Sequence, residues 1–228
     1  MVLAVGGPVP LAHAGSLTGK LELPAVLDRP PVSTKGFLDR VENPLTPVKP
    51  LSLGPAMLVV LEGDEKPAAG GIQVAWELAG DSFSRAIIGA LVGAEVVIKN
   101  TSRTARSLAA AEDPKLIPGG PINPTGPKSF RVATANTYTI GDSDAPHLKG
   151  KLVVVNTAFI AHVDETGKFD LSDVPAGSYK LRVYLFHPAT GKDGWIDRPD
   201  EPVTIPAKGK AEVTAKIPTG YPIAAKAK

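Results

Sequence analysis

Apolar and polar residues alternate over short stretches along most of this chain, the period-two signature of half-buried β-strands. GSLTGKLELP, residues 15–24, sets Leu17, Gly19, Leu21 and Leu23 against polar neighbours. AMLVVLE (56–62) is a short apolar run closed by the turn pair Gly63-Asp64, and IQVAWEL (72–78) is an alternating strand entered through Gly70-Gly71. FSRAIIGA (83–90) and AEVVIK (94–99) read as strands on either side of Val92-Gly93. SFRVAT, TYTIG, KLVVVNTAFIAHV, KFDLSDV, SYKLRVYLF, PVTIPA and AEVTAKI complete the series. RSLAAAE, residues 106–112, is the one helix-like stretch, on the helix propensity of its alanines. Two segments crowded with proline, 24–50 and 114–127, read as extended connections. Roughly a dozen short strands joined by turns predict an all-β fold of sandwiches or barrels. No repeat of about 20–50 residues marks a solenoid.

Composition agrees with the pattern. The 228 residues include 23 glycines and 23 prolines, too many chain-breakers for long helices, while 43% hydrophobic content supplies a real core. The formal charge of +2 is too small to point to nucleic acid or an anionic membrane surface. No apolar run is long enough to span a bilayer. The chain has no cysteine, which excludes disulfides, thiolate zinc sites, cysteine nucleophiles and blue-copper thiolates. Val2 to Leu11 are apolar, and Ala12-His13-Ala14 before Gly15 has the small-x-small form of a signal-peptide cleavage site. Residues 1–14 are therefore read as a signal-peptide remnant or a disordered tail, and the basic residues 219–228 as a disordered tail.

Two segments resemble known families. HVDETGKFDLSDVPAGSYKLRVY (162–184) is similar to the carboxypeptidase regulatory-like, or transthyretin-like, β-sandwich module through Asp164, Gly167, Phe169, Pro175, Gly177, Tyr179, Leu181 and Val183. Asp164 to Gly167 makes a tight turn, and Phe169, Leu171, Val174, Tyr179, Leu181 and Val183 point inward. Residues 70–155 resemble a cupredoxin domain, most of all as it occurs in bacterial exported proteins of the methylamine-utilisation type. The resemblance is carried by Gly93, Val96, Val97 and Asn100 in AIIGALVGAEVVIKNTSRTARSL, and by Pro146, Gly150, Val153 and Val155 in DSDAPHLKGKLVVV. It implies that Arg106 stands where that family has its first copper-ligand histidine, Asp142 at the cysteine, Ala145 at the second histidine and Leu148 at the methionine. Blue copper needs two histidines, a cysteine and a weak axial donor, so the resemblance implies a scaffold without its metal and without electron transfer. The order of the pieces suggests an insertion. Residues 15–65 and 156–218 form a discontinuous transthyretin-like sandwich, and 66–155 form the cupredoxin-like domain between them.

Other chemistry is sparse. His147 lies on the loop of the lost copper positions with Asp142 and Asp144 nearby, a weak metal candidate against the plainer reading of a solvated histidine. His13, His162 and His187 read as leader or structural residues. Ser143, Asp144 and His147 are too crowded in one loop for a catalytic triad, and no G-x-S-x-G elbow exists. Gly70-Gly71 and Gly119-Gly120 lack the lysine and helix of a phosphate loop. Glu62, Asp64 and Glu65 read as a solvated turn rather than a calcium site. Trp195, flanked by polar residues in GKDGWIDRPDEP, is read as a loop aromatic able to stack on sugars, with core packing as the alternative use of tryptophan. The expectation is a non-catalytic structural or protein-interaction scaffold, without cofactor, in the bacterial periplasm or at the cell surface. Its partner is a protein or its own copies, through strand edges and the proline-rich segments. A carbohydrate or cell-envelope binding module is the alternative, and a copper electron-transfer protein the third reading.

Overall fold

A computed structural model describes residues 14–23, 52–63, 72–80, 82–186, 193–197 and 202–217. In chain order the strands are β1 (Ala14–Glu22), β2 (Met57–Glu62), β3 (Gln73–Ala79), β4 (Ser82–Phe83), β5 (Ile87–Leu91), β6 (Glu95–Asn100), β7 (Leu108–Ala110) and β8 (Pro127–Arg131). They continue as β9 (Thr137–Asp142), β10 (Lys149–Val155), β11 (Ile160–His162), β12 (Lys168–Pro175), β13 (Gly177–Phe186), β14 (Asp193–Asp197), β15 (Val203–Ile205) and β16 (Lys210–Lys216). A single 3-10 turn, Gly54–Ala56, precedes β2, and no α-helix occurs among the described residues. The protein is all-β.

Among the described residues the strands make four sheets. Their orders are β12-β1-β16, then β11-β2-β13-β14 with β15 also on β13, then β5-β10-β9-β7, and last β4-β3-β6-β8. Most pairs are antiparallel, but β1 runs parallel to β16, β5 to β10 and β3 to β6. Among the described residues, the sheet partners of β1 and β2 are β11, β12, β13 and β16, whereas β3 to β10 pair with one another.

Three apolar layers show how the sheets stack. Leu17, Leu21, Phe169 and Ala215 of the first sheet meet Met57, Val59, Leu61, Leu181 and Val183 of the second. Ile88, Ala90, Tyr138, Ile140, Leu152 and Val154 of the third meet Trp76, Leu78, Phe83, Val96, Ile98 and Phe130 of the fourth. A smaller layer, Leu58, Val60, Ile160, Tyr184 and Trp195 against Ile87, Val153 and Val155, joins the two middle sheets. The middle strands are therefore covered on both faces, which is why MLVVL and LVVV are continuous apolar runs rather than alternations.

Particular residues fix the local geometry. The carboxylate of Asp164 accepts hydrogen bonds from the Thr166 amide (2.7 Å), the Thr166 hydroxyl (2.7 Å) and the Lys168 amide (2.9 Å). These bonds hold the carboxyl below its ordinary pKa. Gly167 at φ 86° then closes the turn in the left-handed region. Phe169, Leu171, Val174, Tyr179, Leu181 and Val183 all enter the first core layer. Trp76 stacks on Phe83 at 4.0 Å and donates its indole N–H to the Arg85 carbonyl at 2.9 Å. Gly150 lies beneath that ring, where a Cβ would come within 2.4 Å of it.

Three expectations are corrected. The alanine-rich 106–112 stretch holds strand β7, because Leu108 and Ala110 face the core at period two and pair with β9. Two core-directed positions two residues apart, held in that ladder, fit the strand period and not the 3.6-residue period of a helix. Residues 83–90 divide between β4 and β5, with a bend at 84–86. Trp195 sits in strand β14, not in a loop, opposite Tyr184. The expectations for 1–13, for the proline-rich 24–50 and for 219–228 lie outside the described residues, as do His13, His187, Gly70-Gly71, Asp64 and Glu65.

Candidate functional site

The loop after β6 and the end of β9 with its following loop bring Arg106, Asp142, Ala145 and Leu148, the four positions singled out by the resemblance, into one corner. Asn100, fully buried at the end of β6, organises the first loop. Its amide donates to the carbonyls of Thr104 (2.8 Å) and Ile122 (3.0 Å). Its oxygen accepts from the Ser102 amide (3.0 Å) and hydroxyl (2.6 Å). Arg106 follows and exchanges two backbone hydrogen bonds with Ile122, at 3.1 and 2.8 Å. Its guanidinium reaches Asp142, with Nη1 3.9 Å from Oδ2 and side chains only 11% and 2% exposed. The other oxygen of Asp142 accepts the Asp144 amide at 2.9 Å, an Asx turn that starts the second loop. Ala145 and Leu148 are buried in the same core layer as Trp76, and the Leu148 amide closes on the Ala145 carbonyl at 2.8 Å.

These residues do not fit copper. A guanidinium stays protonated and cannot ligate. Alanine and leucine carry no donor, and the one carboxylate is already engaged by a cation and an amide. The corner is packed as an ion pair capped by apolar side chains. His147 is exposed at the turn between Ala145 and Leu148. Among the described residues no three His, Cys, Asp or Glu side chains group as metal ligands.

The proline-rich 114–127 loop lies on the sandwich. Ile117 and Ile122 are buried in the core, and Lys128 donates its ammonium to the carbonyls of Pro118, Gly119 and Gly120. Pro114, Pro118, Pro121 and Pro124 remain exposed on this anchored loop.

The seam between the middle sheets carries polar chemistry that sequence reasoning missed. Lys151 of β10 pairs with Asp193 of β14 at 3.2 Å and donates to the Thr139 hydroxyl at 2.9 Å. Thr139 in turn donates its amide and hydroxyl to Glu112 at 2.6 and 2.7 Å. The Tyr184 hydroxyl donates to Asp193, and burial together with that carboxylate pushes its pKa well up. At one end of the seam Arg182 pairs with Glu62 at 2.7 Å and lies 4.3 Å over the Trp195 ring. The Trp195 edge meets Tyr184 at 5.1 Å, so the indole is half-buried and is not the open sugar platform expected from the loop reading. The signal in the sequence was Arg182, a second charge after Lys180 on one face of YKLRVYLF, followed on that face by the apolar ring of Tyr184. His162 of β11 is also largely enclosed at this seam. Burial first, and Arg85 second, lower its pKa to about 4, so it is neutral at pH 7.

Comparison with known proteins gives a narrow result. No protein-family model matches this chain, and no curated protein does. Solved cupredoxin structures do match. A reduced-state amicyanin mutant is 17% identical, covers 42% of this chain and 98% of its own, and superposes with a TM-score of 0.33. The Cu(I) form of another amicyanin mutant gives 16% identity, the same coverages and a TM-score of 0.34. A purple cupredoxin from Nitrosopumilus maritimus is 15% identical over 36% of this chain and 99% of its own, at a TM-score of 0.33. No helix among the described residues is long and apolar enough to cross a membrane.

Proposed function

We propose that this chain is a non-catalytic, exported structural or protein-interaction scaffold, built on a cupredoxin-like domain that holds no copper. The observation that carries this reading is the Arg106–Asp142 ion pair, 3.9 Å apart, in the corner where the resemblance puts the metal. The remaining two positions, Ala145 and Leu148, are buried apolar groups. A fixed ion pair and a packed leucine stabilise a fold; they offer no redox centre. Support for an interaction role comes from the 114–127 loop. Its exposed prolines are held by Ile117, Ile122 and Lys128, so a partner would meet a preorganised surface at low entropic cost. The partner is a protein of the cell envelope or a second copy of the chain.

The domain plan belongs to the same proposal. Residues 15–65 and 156–218 make a discontinuous transthyretin-like sandwich interrupted by 66–155. The separate pairing of β1, β2 and β11 to β16 from β3 to β10 supports it, as do their separate cores.

Restoring the donors tests the assignment. The quadruple variant Arg106→His, Asp142→Cys, Ala145→His, Leu148→Met acquires one copper and an intense visible thiolate band if these positions form the corner of a cupredoxin site. A folded quadruple variant that retains no copper and stays colourless overturns the assignment.

A further inference from the structure

A groove of about 310 Å³ opens at one end of the seam, at the lower limit of the roughly 300–1,000 Å³ of small-molecule sites. Both sandwiches line it. Glu62, Arg182 and Trp195 come from the second sheet, Thr137 from the third, and Asn136 and Asn156 from the segments just before β9 and just after β10. Its position is set by topology: β2 ends at Glu62 and β10 at Val155, so both passages of the chain between the sandwiches begin at its rim. Sites between packed units are a preferred place for ligands.

The lining selects the ligand class. The cation and anion are paired with each other at 2.7 Å, so the groove carries no uncompensated charge and does not favour an ion. What remains for a ligand is a set of neutral donors and acceptors. Asn136 and Asn156 present exposed carboxamides, each with two donors and an acceptor, around an indole wall. A rigid neutral molecule with many hydroxyls and one apolar face satisfies that set. We infer that the seam groove binds a neutral saccharide, one or two sugar units at a time, bridging the two sandwiches through Asn136 and Asn156. This site does not need the open Trp195 platform; the indole serves as a side wall fixed by Arg182.

Cellotriose, maltotriose and N,N′,N″-triacetylchitotriose are titrated against the full chain by calorimetry and by tryptophan fluorescence. Trp76 is 1% exposed, so a fluorescence change reports Trp195. At least one trisaccharide binds saturably, changes the emission and raises the melting temperature, because a ligand held by the folded state stabilises it. The Asn136→Ala, Asn156→Ala double variant keeps the Asn136 backbone carbonyl that accepts the Val154 amide at 2.8 Å, so its melting temperature without sugar is unchanged. It binds about tenfold more weakly, the loss expected for two hydrogen bonds of ordinary strength. Absence of saturable binding by all three sugars, or equal binding by the double variant, overturns the inference.

Discussion

Asp142 is a buried carboxylate whose two contacts bear on the stability of the fold. Its carboxylate is 2% exposed and holds Arg106 on one side and the Asp144 amide on the other. Removing one member of a largely buried pair takes a partner from the remaining charge where water does not fully replace it, at a cost of about 3–5 kcal/mol. Asp142→Ala is therefore expected to lower unfolding free energy by about 3 kcal/mol in urea titrations. The double change Arg106→Leu, Asp142→Leu recovers most of it, since a buried pair and an apolar filling of the same space are of similar worth. A single variant as stable as the wild type contradicts the buried pair. His162 makes a second residue-scale prediction. Its folded pKa of about 4 lies below the unfolded 6.5. Between those values the unfolded chain takes up a proton that the folded chain refuses. Stability present above pH 6.5 is thus lost as pH falls towards 4, by about 3 kcal/mol. Comparing urea midpoints at pH 7 and 4.5 for wild type and His162→Gln isolates this contribution; equal pH responses contradict it.

At the scale of elements, β5 and β11 meet through glycine. A Cβ on Gly89 would lie 2.5 Å from Ile160 and 3.4 Å from Leu58, so the two middle sheets approach as closely as they do because that side chain is missing. Gly89→Leu wedges the seam without touching either main core. Calorimetry is expected to show one unfolding transition for the wild type and two for the variant, as the sandwiches uncouple. A single transition in both contradicts a seam that depends on this contact. The elements themselves were legible to different degrees. Alternation revealed β1, β3, β6 and β13, and the apolar runs of β2 and β10 revealed strands. Their lack of alternation also held the information that both faces are covered, which period-two reading alone does not use. RSLAAAE misled because alanine propensity is weak beside the register imposed by β9. The polar text of GKDGWIDRPDEP hid β14, since its burial comes from Tyr184 and Arg182, distant in sequence and adjacent only across the sheet.

For the whole molecule, four sheets stacked through three apolar layers leave the candidate copper corner and the saccharide groove in different places. The corner lies at the loops beside the third sheet, and its four residues are the ones that the cupredoxin resemblance picks out around Pro146 and Gly150. The groove needs both sandwiches at once, so no local stretch of sequence encodes it. The central claim is that the corner built by Arg106, Asp142, Ala145 and Leu148 is a packed ion pair and not a metal site. Copper titration of the purified wild-type chain, followed by desalting and metal analysis, tests it most directly. The account predicts no retained copper and no visible absorption band; one copper retained per chain contradicts it and would return the His147 loop to the position of a working site.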